Sequence, residues 1–176
     1  MFVSSNAAAN NLPAYTQALT QSCNSTQHFR QSLFFKNQDQ PFRVDGQILY
    51  RCHRYLRWTT QSPYPSETYF DGKQYWQTFD LKQKSFRFEM NPSASYINEI
   101  LWALMYRDFS FIYGNFHVNA SLNNHRWSIR LKPKTARLMS LVHSVHLQGQ
   151  DIVERLSIEY TSGDRALIEF SNLSDR

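Results

Sequence analysis

Residues 67–79 read ETYFDGKQYWQTF, two runs rich in Thr, Tyr, Trp and Phe on either side of Asp71-Gly72. β-Branched and aromatic residues favour strands, and an Asp-Gly pair between two such runs is a strong signal for a two-residue hairpin. We therefore predict that Glu67–Phe70 and Lys73–Phe79 pair as antiparallel strands around this turn. The stretch indicates a fold built mainly from hairpins.

The same two-residue period extends along most of the chain. Residues 29, 31, 33 and 35 lie on one side of a predicted strand, and Trp127, Ile129 and Leu131 alternate with polar residues up to Pro133. Two segments have helical spacing instead, a short one over Leu12–Gln21 and an inserted, strongly apolar one over Ser95–Arg107. Counting gives about eleven strands and two helices, so the predicted class is mainly β (α+β).

A meander of this length is expected to curl, because twisted open sheets of about ten strands seldom stay flat. Its dry face carries many of the 13 Phe, 10 Tyr and 4 Trp residues. Such a face surrounds either a solid core or a cavity with a lid, and periodicity does not choose between them. The length of 176 residues predicts one domain, residues 11–176. We expect residues 1–10 to be a disordered tail, a signal-peptide remnant or sequence added in cloning.

Composition and local motifs exclude several classes of function. Nineteen Lys and Arg against fourteen Asp and Glu give a charge of +5, but these residues are scattered, so we expect no nucleic-acid partner. Cys23 and Cys52 are too few for a cysteine zinc site, and a disulfide or two free thiols both remain open. His143 and His146 are three apart on a predicted strand and so face opposite sides.

Catalysis is not expected either. Cys52 and His53 are adjacent, so their side chains point apart, and no orienting acid accompanies them. The sequence contains no evident set of nucleophile, base and orienting group. We therefore expect a protein that is not an enzyme, with no metal and no cofactor.

Four local motifs occur in a consistent order along the chain. They are Phe29-Arg30-Gln31; Gly46-Gln47-Ile48-Leu49-Tyr50 with Leu56-Arg57-Trp58 and Pro63; Asp71-Gly72-Lys73 with Tyr75-Trp76; and Trp127-Ser128-Ile129-Arg130-Leu131-Lys132-Pro133-Lys134. In this order they resemble the outer-membrane lipoprotein carriers (LolA) and their LolA-like periplasmic relatives. The resemblance runs from about Asn11 to Leu173.

The resemblance implies an eleven-stranded antiparallel half-open barrel with an N-terminal helix and a helical lid, to which the inserted helix belongs. It implies a monomeric periplasmic carrier without catalytic residues, which encloses the acyl chains of a lipoprotein or lipid. The implied partners are that cargo, an inner-membrane donor complex and an outer-membrane acceptor. Two alternatives remain: glycolipid or polyene-type cargo, or a protein-interaction or sensor module on the same fold.

A long acyl chain needs on the order of 10 kcal/mol of sheltering at ~0.8 kcal/mol per CH₂, so a carrier requires a concave apolar site. We expect its lining among fourteen apolar residues of the strands and the inserted helix. They are Leu33, Ile48, Tyr50, Leu56, Trp58, Trp76, Phe86, Phe88, Ile97, Leu101, Leu104, Met105, Ile129 and Leu131.

The mouth of the site is expected near residues 51–54. The family has an Arg-Pro pair there, whose Arg contacts the lid, whereas this chain has Cys52-His53 in register. We therefore expect Arg51, Cys52 and Arg54 at the mouth or against the lid, with a different lid contact.

Overall fold

The computed structural model of the chain describes residues 12–16, 24–51, 54–81, 84–89 and 92–172. Over these residues, eleven strands form one antiparallel sheet, accompanied by four helices. The strands are β1 (Thr26–Phe34), β2 (Phe42–Arg51), β3 (Tyr55–Ser62), β4 (Ser66–Phe70), β5 (Tyr75–Leu81), β6 (Lys84–Glu89), β7 (Phe116–Asn123), β8 (Arg126–Pro133), β9 (Val142–Gly149), β10 (Val153–Tyr160) and β11 (Arg165–Asn172). The helices are α1 (Leu12–Tyr15), α2 (Pro92–Tyr106), α3 (Ser110–Asn115) and α4 (Ala136–Met139).

The strand order is β6-β5-β4-β3-β2-β1-β11-β10-β9-β8-β7. Consecutive strands pair with each other except β6 and β7, and the pairing of β1 with β11 joins the two halves. Within the described part of the chain, β6 and β7 are the two unpaired edges, and α2 and α3 connect them. The sheet is therefore unclosed, as in a half-open barrel, which confirms the predicted mainly β fold.

The hairpin formed by β4 and β5 differs in detail from its prediction. β4 ends at Phe70 and β5 begins at Tyr75, and these two residues pair, so four residues connect the strands rather than two. Asp71 does not lie at the centre of the turn. Its Oδ1 accepts hydrogen bonds from the backbone N–H groups two and three residues later, at 3.0 and 2.7 Å. Gly72, with φ of 89°, supplies the left-handed conformation.

The helices also differ from the pattern-based bounds. α2 begins three residues before the predicted Ser95, at Pro92, a residue suited to a first helical position because it needs no N–H partner. It ends before Arg107, whose φ is 56°. α1 is described only over Leu12–Tyr15, and residues 17–21 of the predicted first helix lie outside the described residues. α3 and α4 were not predicted, because six and four residues are too few to show a helical period.

The core fills the space between the concave face of the sheet and the helices. In the C-terminal half, alternate residues of each strand are buried, among them Trp127, Leu147 and Leu156. In the N-terminal half, Ile48 and Leu56 are buried with them in one continuous cluster. The period of two thus separates a dry concave face from a wet outer face.

Gly46 tests how closely β1, β2 and β3 pack. A Cβ at this position would lie 2.8 Å from the ring of Phe29 and would overlap the backbone oxygen of Thr59. We expect Gly46→Ala to lower the free energy of unfolding by about 1–3 kcal/mol, because a packed sheet has no room for the methyl group. Urea unfolding measures this. In the control Gly114→Ala the new Cβ meets nothing within 4 Å, so equal losses in both variants would contradict the packing described.

Candidate functional site on the concave face

Helix α2 covers one end of the concave face of β2–β5. The ring of Trp102 packs edge-on against Phe70 of β4, with 5.6 Å between ring centroids and 84° between planes. Leu101 and Leu104 are fully buried on the same helix and join the cluster that contains Leu56. The helix therefore fills this end of the sheet with its own apolar side chains.

Side-chain hydrogen bonds hold α2 to the sheet, and we call the following two the lid contacts. The indole Nε1 of Trp58 donates to Oδ1 of Asn98 at 2.7 Å. The hydroxyl of Tyr106 donates to the backbone carbonyl of Arg51 at 2.8 Å. Asn98 is 3% exposed, so the first contact lies within the apolar interface. A hydrogen bond at such a place fixes one helix position, because a shifted helix leaves buried polar groups unpaired.

Tyr75 lies beside the buried lid contact. Burial raises the pKa of Tyr75 to about 12, and hydrogen bonds to the side chains of Asn98 and Thr68 act in the opposite direction. The phenol is therefore neutral at physiological pH. It adds a third polar side chain to the small network beneath α2.

A second set of contacts ties α2 to the other helices. The Arg107 guanidinium donates to the backbone carbonyls of Thr16 at 3.2 Å and Pro13 at 2.8 Å. The backbone N–H of Leu12 donates to the hydroxyl of Tyr113 in α3 at 3.0 Å. The ends of α1, α2 and α3 thus form one layer over the sheet.

Beyond the helix the concave face is open and forms a depression of about 250 Å³, which we call the groove. Aromatic and aliphatic side chains alternate in it with hydroxyl and amide side chains. The groove is lined by Phe29, Gln31, Phe42, Val44, Trp58, Thr60, Pro63, Tyr64, Ser66, Thr68, Gln77 and Phe79. Trp58 belongs to both the groove and the buried lid contact, so it lies at the border between the covered and the open part of the face.

A neighbouring pocket of about 400 Å³ lies where the end of β1 meets the β10–β11 connection. Leu33, Phe35, Leu141 and Tyr160 supply its apolar wall. Leu33 pairs with Phe42 of the groove across β1 and β2. The two concavities are therefore adjacent at the same end of the sheet.

The structure gathers most of the predicted lining residues, but around packed side chains rather than empty space. Seven of them are at most 1% exposed in the cluster beneath and beside α2. These are Ile48, Tyr50, Leu56, Leu101, Leu104, Ile129 and Leu131. Trp58 lines the groove, Leu33 lines the adjacent pocket, and Ile97 is half-buried on α2.

Trp76 is not placed with the other predicted lining residues. Its ring stacks on Tyr69 at 4.1 Å between centroids, and Tyr69 in turn lies 4.8 Å from Tyr55. These three side chains form a row across the outer face of β3, β4 and β5. Because side chains alternate along a strand, Tyr75 and Gln77 on either side of Trp76 face inward instead.

The remaining predicted positions are described in part. The backbone pairing places Phe86 opposite Phe79 and Phe88 opposite Gln77, both groove residues, and the side chains of Phe86, Phe88 and Met105 lie outside the described part of the structure.

At the expected mouth, Arg51 contacts the lid through its backbone carbonyl rather than its guanidinium. Arg54 is exposed, and its backbone N–H donates to the same carbonyl at 3.0 Å. Cys52, like His53 and Cys23, lies outside the described residues.

Sequence reasoning missed Asn98 and Tyr75 beneath α2, and of the twelve groove residues it named only Trp58. The signal for Asn98 was present, since it is one of few polar residues on the otherwise apolar Ser95–Arg107 segment. A polar residue on a buried helix face requires a partner. Its partner Trp58 is forty positions earlier in the chain, so no local pattern connects the two.

No metal-binding group is assembled in the ranges that the structure describes, where His, Cys, Asp and Glu form no cluster of three or more. The ring of His146 hydrogen-bonds the hydroxyl of Ser128 at 2.8 Å. Burial, together with the nearby charge of Arg130, lowers the pKa of His146. Among the described helices, none has the length and apolar character needed to cross a membrane.

The family model described as outer membrane lipoprotein carrier protein LolA matches residues 21–176. The chain belongs to the LolA family. Among curated proteins, no sequence matches this LolA-family chain.

Several solved structures have a similar fold to this LolA-family chain. A LolA superfamily protein from Nitrosomonas europaea is 9% identical, with a TM-score of 0.45 over 91% of each chain. A putative outer membrane lipoprotein-sorting protein domain from Vibrio parahaemolyticus is 8% identical, with a TM-score of 0.44 over 93% of this chain and 92% of that one. A chain of the MucA/MucB complex of Pseudomonas aeruginosa is 9% identical, with a TM-score of 0.46 over 90% of this chain and 55% of that one.

Trp58→Phe tests the buried lid contact. We expect it to lower the free energy of unfolding by about 1 kcal/mol, because Nε1 is lost while the apolar ring is largely kept. Hydrogen exchange of α2 amides should also become faster. Trp127→Phe is the matched control, since Nε1 of Trp127 donates to the carbonyl of Gln150 at 2.7 Å, away from α2. Equal exchange of α2 in the two variants would show that the Trp58 contact does not hold the helix.

The raised pKa of Tyr75 predicts that the protein loses stability at alkaline pH. Its pKa in the folded protein, about 12, is higher than the ordinary value of 10.0, so deprotonation is easier in the unfolded chain. Its contribution is complete below pH 10 and is lost as the pH rises towards 12, by at most about 3 kcal/mol at ~1.4 kcal/mol per pKa unit. Urea unfolding between pH 9 and 12 should show a shallower decline for Tyr75→Phe than for the parent protein. Parallel declines would refute a buried phenol at this place.

Proposed function

We propose that this protein is a periplasmic carrier that encloses the acyl chains of a lipoprotein or lipid and delivers them toward the outer membrane. In this proposal it receives cargo from an inner-membrane donor complex and passes it to an outer-membrane acceptor, as a monomer and without catalysis. Membership of the lipoprotein carrier family supports the proposal. The structural observation that carries it is a concave apolar face that α2 covers at one end and leaves open as a groove at the other.

The size of the groove indicates how loading proceeds. A volume of 250 Å³ equals about eight water-sized volumes of ~30 Å³, or roughly that many methylene groups. At ~0.8 kcal/mol for each methylene, this part of a chain contributes about 6 kcal/mol. A longer acyl chain extends either into the adjacent pocket at Leu33 or into the space that Leu101 and Leu104 fill in the closed structure. In this proposal α2 moves away from the sheet as the chain enters.

A second candidate is a protein-interaction or sensor module on the same fold. The observation that favours it is the packed interior, where residues such as Ile129 and Leu131 of the predicted lining are fully buried. A module of this kind uses the outside of the sheet and needs no displacement of α2. The two candidates therefore differ in whether an apolar ligand enters the protein.

Lipid extraction of the purified protein followed by mass spectrometry tests the carrier function, together with uptake of diphenylhexatriene, an uncharged probe that fluoresces in apolar surroundings. We expect extractable acyl species and probe uptake. Phe42→Ser should weaken uptake several-fold, because Phe42 lines the groove and is 39% exposed.

Leu122→Ser is the matched control, since Leu122 is 48% exposed near the β7–β8 turn and does not line the groove. It should leave probe uptake unchanged. If the parent protein contains no bound lipid and takes up no probe, the carrier function is contradicted and the interaction module is favoured.

A further inference from the structure

We propose that the groove selects an uncharged lipid whose hydroxyl, ester or amide groups enter it together with the hydrocarbon chain. This inference rests on the proposed carrier function and adds the chemical class of the cargo. It comes from a set of uncharged hydrogen-bonding side chains in the apolar groove wall, which we call the polar row. The polar row consists of Gln31, Thr60, Ser66, Thr68 and Gln77.

The polar row runs across β3, β4 and β5, and its member Gln31 lies apart from the others on β1, opposite Val44. Thr60 of β3 pairs with Ser66 of β4, and Thr68 of β4 pairs with Gln77 of β5. The amide Nε2 of Gln77 reaches Oγ of Ser66 only at 3.5 Å, the outer limit for a hydrogen bond. Ser66 and Thr68 are each 8% exposed, so these polar groups line the base of the groove rather than its rim.

A purely hydrocarbon occupant fits this wall poorly. Ser66 and Thr68 have the protein partners Gln77 and Tyr75, but a hydrocarbon offers no hydrogen bond to the amide of Gln31 or the hydroxyl of Thr60. Leaving a buried polar group unpaired costs more than burying one methylene gains. A ligand that offers hydroxyl or carbonyl groups to Gln77 and Thr60, and hydrocarbon to Phe29 and Phe79, meets both kinds of wall.

A charged group fits the groove no better. None of its twelve lining residues is an Asp, Glu, Lys, Arg or His. A carboxylate, phosphate or ammonium head that entered would lose its hydration and find no opposite charge among these described lining residues. Ion pairs such as Arg30 with Asp45 lie at exposed positions outside the groove, and they do not offset that loss. The wall chemistry therefore favours neutral polar groups next to an acyl chain.

Two kinds of lipid present this chemistry. One is an acylglycerol linkage, with ester carbonyls and a hydroxyl, and the other is a neutral sugar head attached to a chain. Displacement of diphenylhexatriene below the micelle concentration compares them at equal chain length, using monolaurin, dodecyl maltoside, laurate and dodecyltrimethylammonium. We expect the two neutral compounds to bind about tenfold more tightly than the two ions. An ion that enters the groove loses its hydration without gaining an opposite charge. The tighter of the two neutral compounds identifies the linkage or the sugar as the group recognised.

Single substitutions test the polar row directly. We expect Thr60→Val and Gln77→Leu each to weaken binding of the tighter neutral compound by roughly threefold to tenfold, the range for one lost hydrogen bond. Binding of diphenylhexatriene itself should stay the same or strengthen. Thr59→Val is the matched control, because Thr59 precedes Thr60 on the same strand and so faces the outer side of the sheet.

The outcomes separate this inference from the carrier function. Uptake of diphenylhexatriene with equal affinity for laurate and monolaurin would overturn the selection of uncharged lipid and leave the carrier function standing. Equal effects of Thr59→Val and Thr60→Val would overturn the role of the polar row. Failure of every compound to bind, the apolar probe included, would overturn the carrier function and the selectivity with it.

Discussion

The concave face of the sheet is larger than the area that the described helices cover. Eleven strands form one sheet, held together at the middle by the pairing of β1 with β11, and its concave face carries one apolar cluster with the polar row beside it. Of the four described helices, three have four to six residues, and only α2, with fifteen, is long enough to span several strands. At 1.5 Å per residue it extends about 22 Å. It closes one end of the face, and the groove is the part that it does not reach.

The sequence predicted the strands and their buried faces well, because both follow from local alternation. Ile129 and Leu131 were expected on the dry side of a strand, and both are buried there. The two-residue alternation along a strand does not show which side chain packs opposite it across the interior. Leu56 was expected to line a cavity, and in the structure it belongs to the cluster that α2 completes with Leu101. Choosing between cavity and core requires knowing where the inserted helix lies, which is a tertiary property.

The errors in the predicted site have equally local causes. Tyr75 and Trp76 are adjacent aromatic residues, and strand geometry places one under α2 and the other on the outer face. A shift of one residue reverses the face, so a motif that contains both does not show which ring faces inward. Asn98 shows the opposite case, since its polarity on an apolar helix marked it as unusual. Its role became visible only when the fold brought Trp58 within 2.7 Å.

In the proposed carrier function, the mixture of contacts beneath α2 lets the closed interior open and close again at the same place. Opening the helix exposes Leu101 and Leu104, and the cost grows with the apolar area that returns to water. In the proposed carrier, an acyl chain that occupies the same space buries this area again and so offsets the cost of opening. Hydrophobic burial has no direction, however, and would accept many helix positions. The hydrogen bond from Trp58 to Asn98 forms in one position only, so in the proposed carrier it returns α2 to the same place after release.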